Sequence, residues 1–259
     1  MEPVGDAVPI AELLDERRHL LEVAHWMLGN RLAAERVTDE AYREWFGLCE
    51  HERARIRAPR AWLTQVVGGI SLARLVPPGS PGRVRGSGPC GACLEGEVGE
   101  LLLRTSGTLP PAKPDTAART DRAARHSVRA RRESPTTPRR PYEIAHAVRQ
   151  ACVDEDSHHL ASLLAPDVTA VFDGGGKIRA LTSPVTGSEA VARSLLNLLA
   201  RHPRTTLCTW PVNGGTGLVT RYGDQVVAVV ALDVAGPRVV QVWVVLNPDK
   251  LRSWNRSRP

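Results

Sequence analysis

The stretch at residues 58–75, APRAWLTQVVGGISLARL, most constrains the fold of this chain. Pro59 suits the first position of a helix, since its missing N–H is not needed there. Apolar side chains then recur at helical spacing: Trp62, Leu63, Val66, Val67, Ile70 and Leu75. Arg60 and Arg74 lie near the two ends. The pattern predicts a buried helix with a basic rim.

Two more helices are predicted upstream of this one. The segment ERRHLLEVAHWMLGN carries one apolar face and ends at Gly29-Asn30, a typical helix stop. That face consists of Leu20, Leu21, Val23, Ala24, Met27 and Leu28. A third helix is predicted at residues 33–48. The block 10–49 and the helix at 58–75 therefore form an all-α N-terminal region, assigned to residues 1–76.

The order RRHLLEVAHWMLGNRLAAERVTDEAYREWF and then IRAPRAWLTQVVGGISLARL resembles region 2 of the extracytoplasmic-function sigma factors of bacterial RNA polymerase. The resemblance implies that the helix at 33–48 docks on core RNA polymerase through Glu35, Asp39 and Glu40. It also implies that residues 52–62 meet the −10 element of promoter DNA. There Arg55, Arg57 and Arg60 would contact phosphates. Trp62 would either lie near melted bases or belong to the core.

Length and cysteine content bound the class of protein. A chain of 259 residues is long enough for about two domains. Its five cysteines are odd in number and scattered, and no signal peptide is recognised, which favours a reducing cytoplasm. No long apolar run is present either, so we expect a soluble protein with no membrane partner. Cys90 and Cys93 (CGAC) lack a second ligand pair nearby, so we predict no metal.

Residues 77–141 are basic. They hold twelve Lys or Arg and six Asp or Glu, a net +6 that equals the formal charge of the whole chain. Residues 77–91 predict a flexible linker because they are rich in Pro, Gly and Ser. Short helices are predicted at 96–105 and 115–132, the second carrying an arginine stripe: Arg119, Arg122, Arg125 and Arg129. In its position this pair resembles a remnant of the sigma region 4 helix-turn-helix that reads DNA, and the alternative is a solvated basic helix.

Residues 142–259 predict an α+β domain. A helix, broken near DEDSHH, covers 142–164, a strand follows at 168–172 and a second helix at 187–202. Four Val- and Thr-rich segments, TTLCTW, GLVTRY, QVVAVVALDV and RVVQVWVVL, then predict an antiparallel meander. The order is that of the nuclear-transport-factor-2-like fold, a cone-shaped curved sheet around a helix. With its DGGGK and NPDKL motifs, the segment is similar to the polyketide-cyclase-like (SnoaL-like) domain fused to some of these sigma factors.

The C-terminal domain is predicted to regulate the N-terminal one by contact. Its turn-forming polar motifs supply the candidate residues: Asp173, Lys177, Asn247, Asp249 and Lys250. The DGGGK motif predicts a turn with positive φ, and the NPDKL motif predicts a turn or strand end. We expect the contact between the two domains to be modest in area and polar. The candidate acid/base residues Asp167, Asp173 and His202 show no convergence by sequence, so no catalytic residue, enzyme activity or cofactor is predicted.

The sequence therefore predicts a sigma-factor-like transcription protein. Its partners would be core RNA polymerase and promoter DNA, and a small-molecule ligand in the C-terminal pocket stays open. The alternative is a degenerate relative that no longer initiates transcription and acts as a protein-interaction or ligand-binding regulator.

Overall fold

The computed structural model describes residues 7–75 and 139–256. The predicted linker, the CGAC motif and the arginine stripe at Arg119, Arg122, Arg125 and Arg129 lie outside these residues. The two described segments form one compact unit.

Four helices make up the first segment: α1 Ile10–Leu28, α2 Arg31–Gly47, α3 Glu50–Arg55 and α4 Pro59–Leu75. Gly29 ends α1 with a left-handed φ of 62°, and the side chain of Asn30 accepts a hydrogen bond from the Ala33 N–H to begin α2. The Gly-Asn pair therefore ends one helix and begins the next. Helix α2 starts two residues before the predicted position.

Helices α1, α2 and α4 enclose a buried apolar cluster: Leu20, Ala24, Ala34, Val37, Ala41, Tyr42, Trp45, Leu63 and Val67. Helix α4 contributes only one face to it, the face of Leu63 and Val67. The prediction of a buried helix is wrong at its end, because Leu72 and Leu75 are more than half exposed and Ser71 takes the buried position there. The helical spacing predicted the element but not how far along it the core extends.

The second segment is α+β. It runs through α5 Arg139–Val153, α6 Ser157–Leu163, β1 Leu164–Asp173, β2 Val185–Thr186, α7 Ser188–Leu198, β3 Thr205–Val212, β4 Gly215–Tyr222, β5 Gln225–Ala235, β6 Arg238–Val245 and α8 Pro248–Asn255. The predicted helix break falls between Val153 and Ser157, where Asp156 caps α6. The curved sheet and its helices confirm the fold class predicted for this half of the chain.

The described strands form one mixed sheet in the order β2-β1-β6-β5-β4-β3. Strands β3 to β6 are the predicted antiparallel meander. The sequence did not predict that β1 pairs with β6 in parallel, through Ala170 and Val242 among others. The motif at residues 247–251 follows the end of β6, as predicted, but the C-terminal helix was missed, because Asn247 caps α8 where only a turn or strand end was expected.

The two halves share an apolar cluster. Ala7 and the start of α1, with Ile10, Ala11 and Leu13, are buried in one cluster with side chains of the C-terminal half: Val148, Phe172, Leu195 and Leu246. The prediction of a modest, polar contact is wrong at this point, since apolar side chains lie at its centre. Helix α1 therefore connects two cores, one at each end.

Candidate functional site

A buried ion pair lies where α1 meets the loop after β1. The guanidinium Nη2 of Arg179 lies 3.1 Å from Oε2 of Glu16, whose side chain is only 4% exposed. The Tyr42 hydroxyl donates a hydrogen bond of 3.3 Å to the same carboxylate, and Arg179 also lies over the Trp45 ring at 5.7 Å. Burial, with a smaller contribution from the charge of Glu16, raises the pKa of Tyr42 far above its usual range. Tyr42 therefore stays protonated and serves as a donor.

A second, more exposed set of ion pairs connects α2 to the C-terminal half. Lys177 Nζ lies 3.0 Å from Asp39 Oδ2 in α2 and 2.8 Å from Asp249 Oδ2 in α8. Arg17 lies 3.3 Å from Asp39 and donates a hydrogen bond of 2.8 Å to the Lys177 carbonyl. One lysine thus bridges a helix from each half of the protein. We call Arg17, Asp39, Lys177 and Asp249 the bridging cluster.

The pKa shifts within the bridging cluster favour the charged forms of Lys177 and Asp249. The hydrogen bond to Asp249 is the main cause that raises the pKa of Lys177 above its usual value, and Asp39 adds to it. The hydrogen bond from Lys177 lowers the pKa of Asp249, helped by the charges of Lys177 and Arg252. Opposite charges at this distance each favour the ionised form of the other. The lysine and the aspartate are therefore both charged at neutral pH.

The DGGGK segment forms the predicted positive-φ turn, with φ of 62° at Gly175 and 66° at Gly176. The Asp173 carboxylate accepts a hydrogen bond of 2.9 Å from the Gly175 N–H and lies 2.7 Å from Lys250 Nζ. Gly175 packs directly against the Asn247 side chain, leaving no room for a Cβ. The two motifs that the sequence singled out, DGGGK and NPDKL, are therefore in contact with each other and, through Lys177, with α2.

The other predicted polymerase-binding residues pair within the N-terminal half. Glu35 lies 3.5 Å from Arg31 on the same helix, and Glu40 pairs with Arg74 of α4. The exposed large apolar side chains of this segment are Trp26, Leu32, Leu72 and Leu75, with Trp26 85% and Leu32 67% exposed. Asp39 differs from Glu35 and Glu40 because the C-terminal half already binds it.

The predicted DNA-binding residues of the N-terminal region lie on α3, on α4 and between them. Arg55, Arg57 and Arg60 are exposed. Trp62 is half-buried, and its ring meets that of Trp45 edge-on, with centroids 5.5 Å apart. Trp62 is therefore part of the N-terminal core as well as a surface residue. The role of the exposed arginines at phosphates therefore stays a prediction, and part of the Trp62 ring is used in packing against Trp45.

The candidate acid/base residues of the C-terminal half have separate partners. Asp173 binds Lys250, whereas His202 stacks on Tyr222 with centroids 5.5 Å apart. Within residues 7–75 and 139–256, no group of three or more His, Cys, Asp or Glu side chains is arranged to hold a metal ion. In the same part of the chain, none of the helices is long and apolar enough to cross a membrane.

Sequence reasoning missed Glu16, Arg17 and Arg179. Glu16 breaks the apolar face of α1 between Leu13 and Leu20, and a charged residue at a core position of an amphipathic helix is a signal for a buried partner. The partner itself could not be found, because Arg179 is 163 residues away.

No protein-family model matches the chain. The ECF RNA polymerase sigma factor SigJ of Mycobacterium tuberculosis is 24% identical over 292 aligned positions, which cover 93% of this chain and 92% of the relative. This similarity along nearly the whole length confirms the resemblance to extracytoplasmic-function sigma factors that the motifs indicated.

Similar solved structures include that of M. tuberculosis SigJ, at 26% identity and a TM-score of 0.37, with 94% of this chain and 98% of that one covered. An NTF2-like protein of unknown function from Mesorhizobium loti matches at 16% identity and a TM-score of 0.34, over 44% of this chain and 96% of that one. An LEH-like epoxide hydrolase of M. tuberculosis matches at 14% identity and a TM-score of 0.30, over 45% of this chain and 89% of that one.

Proposed function

We propose that this chain, similar to SigJ over 93% of its length, is a sigma-factor-like transcription protein that binds core RNA polymerase and promoter DNA and whose C-terminal half regulates that binding by contact with α2. We also propose that the protein acts in the cytoplasm, where the polymerase acts. The similarity to a sigma factor along both halves of the chain is the observation that carries the proposal.

Helix α2 is the proposed polymerase-binding element. Its outer surface presents Leu32, and Glu35 and Glu40 are both partly exposed, with side chains 40% and 34% accessible. Both glutamates bind arginines of their own segment, and such surface ion pairs are weak and easily exchanged for those of a partner. The exposed Leu32 supplies the apolar contact that a stable interface needs at its centre.

The bridging cluster supports the regulatory part of the proposal. Lys177 and Arg17 together bind Asp39, the third predicted polymerase-binding residue, so that polymerase cannot use this carboxylate while the halves are docked. The halves make two further polar contacts: Arg18 of α1 lies over Tyr222 of β4 at 5.8 Å, and Arg179 pairs with the buried Glu16. We infer that the docked arrangement and full engagement of α2 by polymerase compete.

The proposal assigns no catalysis to the C-terminal half. Asp173 and His202 bind different partners, and the charged residues of the DGGGK and NPDKL motifs bind one another or α2. These contacts leave the motifs a role in holding the two halves together.

Co-elution of the full chain with core RNA polymerase tests the proposed function. We expect a complex at micromolar concentration. Combining Leu32→Ser with Glu35→Lys should lower the affinity for core polymerase by about tenfold or more, the usual effect of truncating a hot-spot residue of an interface. Tyr142→Ser is the control. Like Leu32, Tyr142 is a large apolar residue that is more than half exposed, at 54%, but it lies in the C-terminal half. Absence of any complex, or equal loss with Tyr142→Ser, would leave the alternative of a regulator that does not act on polymerase.

A further inference from the structure

A cavity of about 800 Å³ lies between the two halves of the protein. One wall belongs to the C-terminal half, with Phe172, Leu198 and Leu246, and the other to the N-terminal half, with Leu13 and Trp45. These five side chains are at most 8% exposed, so the floor of the cavity is apolar and well packed. A volume of this size is within the range of small-molecule sites, about 300–1,000 Å³.

The polar edge of the cavity is formed by α3. Arg53 lines the cavity and is half-buried. Among the residues that the structure describes, no carboxylate lies within ion-pair distance of its guanidinium. Arg179 also lines the cavity, but Glu16 neutralises it at 3.1 Å. A cation without a counter-ion at the edge of an apolar cavity favours an anionic group in the molecule that fills it.

Of the other polar side chains that line the cavity, which include His51, Glu50 limits the negative charge that a ligand can carry. Glu50, at the exposed start of α3, also lines the cavity, and its negative charge would repel a ligand with two anionic groups. Thr182 and Ser183 add hydroxyl groups that can donate hydrogen bonds to a ligand. The cavity thus combines an apolar floor with a place for a single negative charge.

We propose that this cavity binds a small amphipathic molecule with an apolar body and one carboxylate, held at its charged end by Arg53. Its walls come from both halves, so the molecule binds the docked arrangement better than an arrangement in which the halves have separated. A ligand shifts such an equilibrium by its differential affinity for the two states. This regulatory consequence rests on the proposed function, whereas the binding itself does not.

Isothermal titration of the full chain with decanoate and with its neutral analogue decanamide tests the proposal. A charge-assisted hydrogen bond to Arg53 predicts that decanoate binds about 10- to 100-fold more tightly than decanamide. In Arg53→Gln the two ligands should bind within about threefold of each other, and Glu50→Gln should tighten decanoate binding, because the repulsion is removed. Equal affinity for both ligands in the unchanged protein, or no effect of Arg53→Gln, would overturn the assignment of Arg53.

A cavity-filling variant tests the location. Ala54→Trp places a large ring into the cavity from α3 and should abolish decanoate binding, whereas Ala61→Trp, at an exposed position of α4 that does not line the cavity, should leave it unchanged. Binding that survives Ala54→Trp, or no saturable binding in the unchanged protein, would overturn the proposal. The titration contains no polymerase, so its failure leaves the proposed function standing, and failure of polymerase binding leaves the ligand site standing.

Discussion

Arg179 Nη2 lies 3.1 Å from Glu16 Oε2, although the two residues are separated by 163 positions in the sequence. Glu16 is in the first helix of the N-terminal half, and Arg179 follows the first strand of the C-terminal half. Their side chains are only 4% and 19% exposed, so the pair forms away from water. This pair and the apolar cluster around Leu13 fix one arrangement of the two halves, and the more exposed bridging cluster lies beside them.

The Glu16–Arg179 pair provides a stability prediction. Replacing Glu16 by Ala leaves the buried guanidinium without a counter-ion and the Tyr42 hydroxyl without its acceptor. We expect the free energy of unfolding to fall by about 3–5 kcal/mol, the usual effect of removing one partner from a buried pair. Urea denaturation measures this change.

Two variants serve as controls for that measurement. Glu12→Ala, at an exposed position of the same helix, should change the stability by less than about 0.5 kcal/mol. Glu16→Leu combined with Arg179→Met should recover part of the loss, since apolar residues of similar volume often replace a buried ion pair without penalty, whereas the Tyr42 hydroxyl still lacks its acceptor. A double variant as unstable as Glu16→Ala would show that the pair does more than neutralise charge.

The DGGGK turn provides a matched pair of glycine variants. Gly175 and Gly176 have nearly the same φ, 62° and 66°, so alanine is strained at either by about 1–2 kcal/mol. Only at Gly175 would the added Cβ overlap the Asn247 side chain, whose oxygen caps α8 through the Asp249 N–H. Gly175→Ala should therefore cost about 1 kcal/mol more than Gly176→Ala, the usual value of a lost cap. Equal losses of unfolding free energy would mean that the turn does not hold α8.

The bridging cluster predicts how stability depends on pH. The lowered pKa of Asp249 means that its contribution is fully present above its ordinary value of 3.8 and is lost as the pH falls through the lowered pKa. The raised pKa of Lys177 means that its contribution is fully present below 10.5 and is lost as the pH rises through the raised pKa. The difference in Tm between the unchanged protein and Lys177→Gln should thus be constant from about pH 5 to 9. A difference that changes steadily within this range would contradict the assignment.

Much of the fold could be predicted from local patterns. Apolar residues at helical spacing identified α1, α2 and α4, and the Val- and Thr-rich segments separated by turn residues identified β3 to β6. The parallel pairing of β1 with β6 could not be read in this way, since it joins residues about 70 positions apart, such as Ala170 and Val242. Helix α8 was missed because it has only eight residues and begins with Asn-Pro, a pair that also begins turns.

The candidate site was predictable only in part. Positive φ in the DGGGK segment follows from its glycines, and Lys177 was among the residues predicted to contact the N-terminal half. The identity of its partners depends on how α2 and α8 pack, which no local pattern states. The exposed end of α4 escaped prediction for the same reason, since helical spacing cannot show where a neighbouring element ends.

The dissociation constant of the full chain for core RNA polymerase tests the account most directly, compared between the unchanged protein, Lys177→Gln and Lys250→Gln. Lys177 bridges Asp39 and Asp249, whereas Lys250 binds Asp173 within the C-terminal half. Both variants therefore remove one positive charge, but only Lys177→Gln also removes a contact to α2. We predict that Lys177→Gln binds polymerase at least about fivefold more tightly, the lower end of typical coupling between sites. Lys250→Gln should bind like the unchanged protein. Equal affinity of all three proteins, or the same gain in both variants, would contradict regulation of α2 by the bridging cluster.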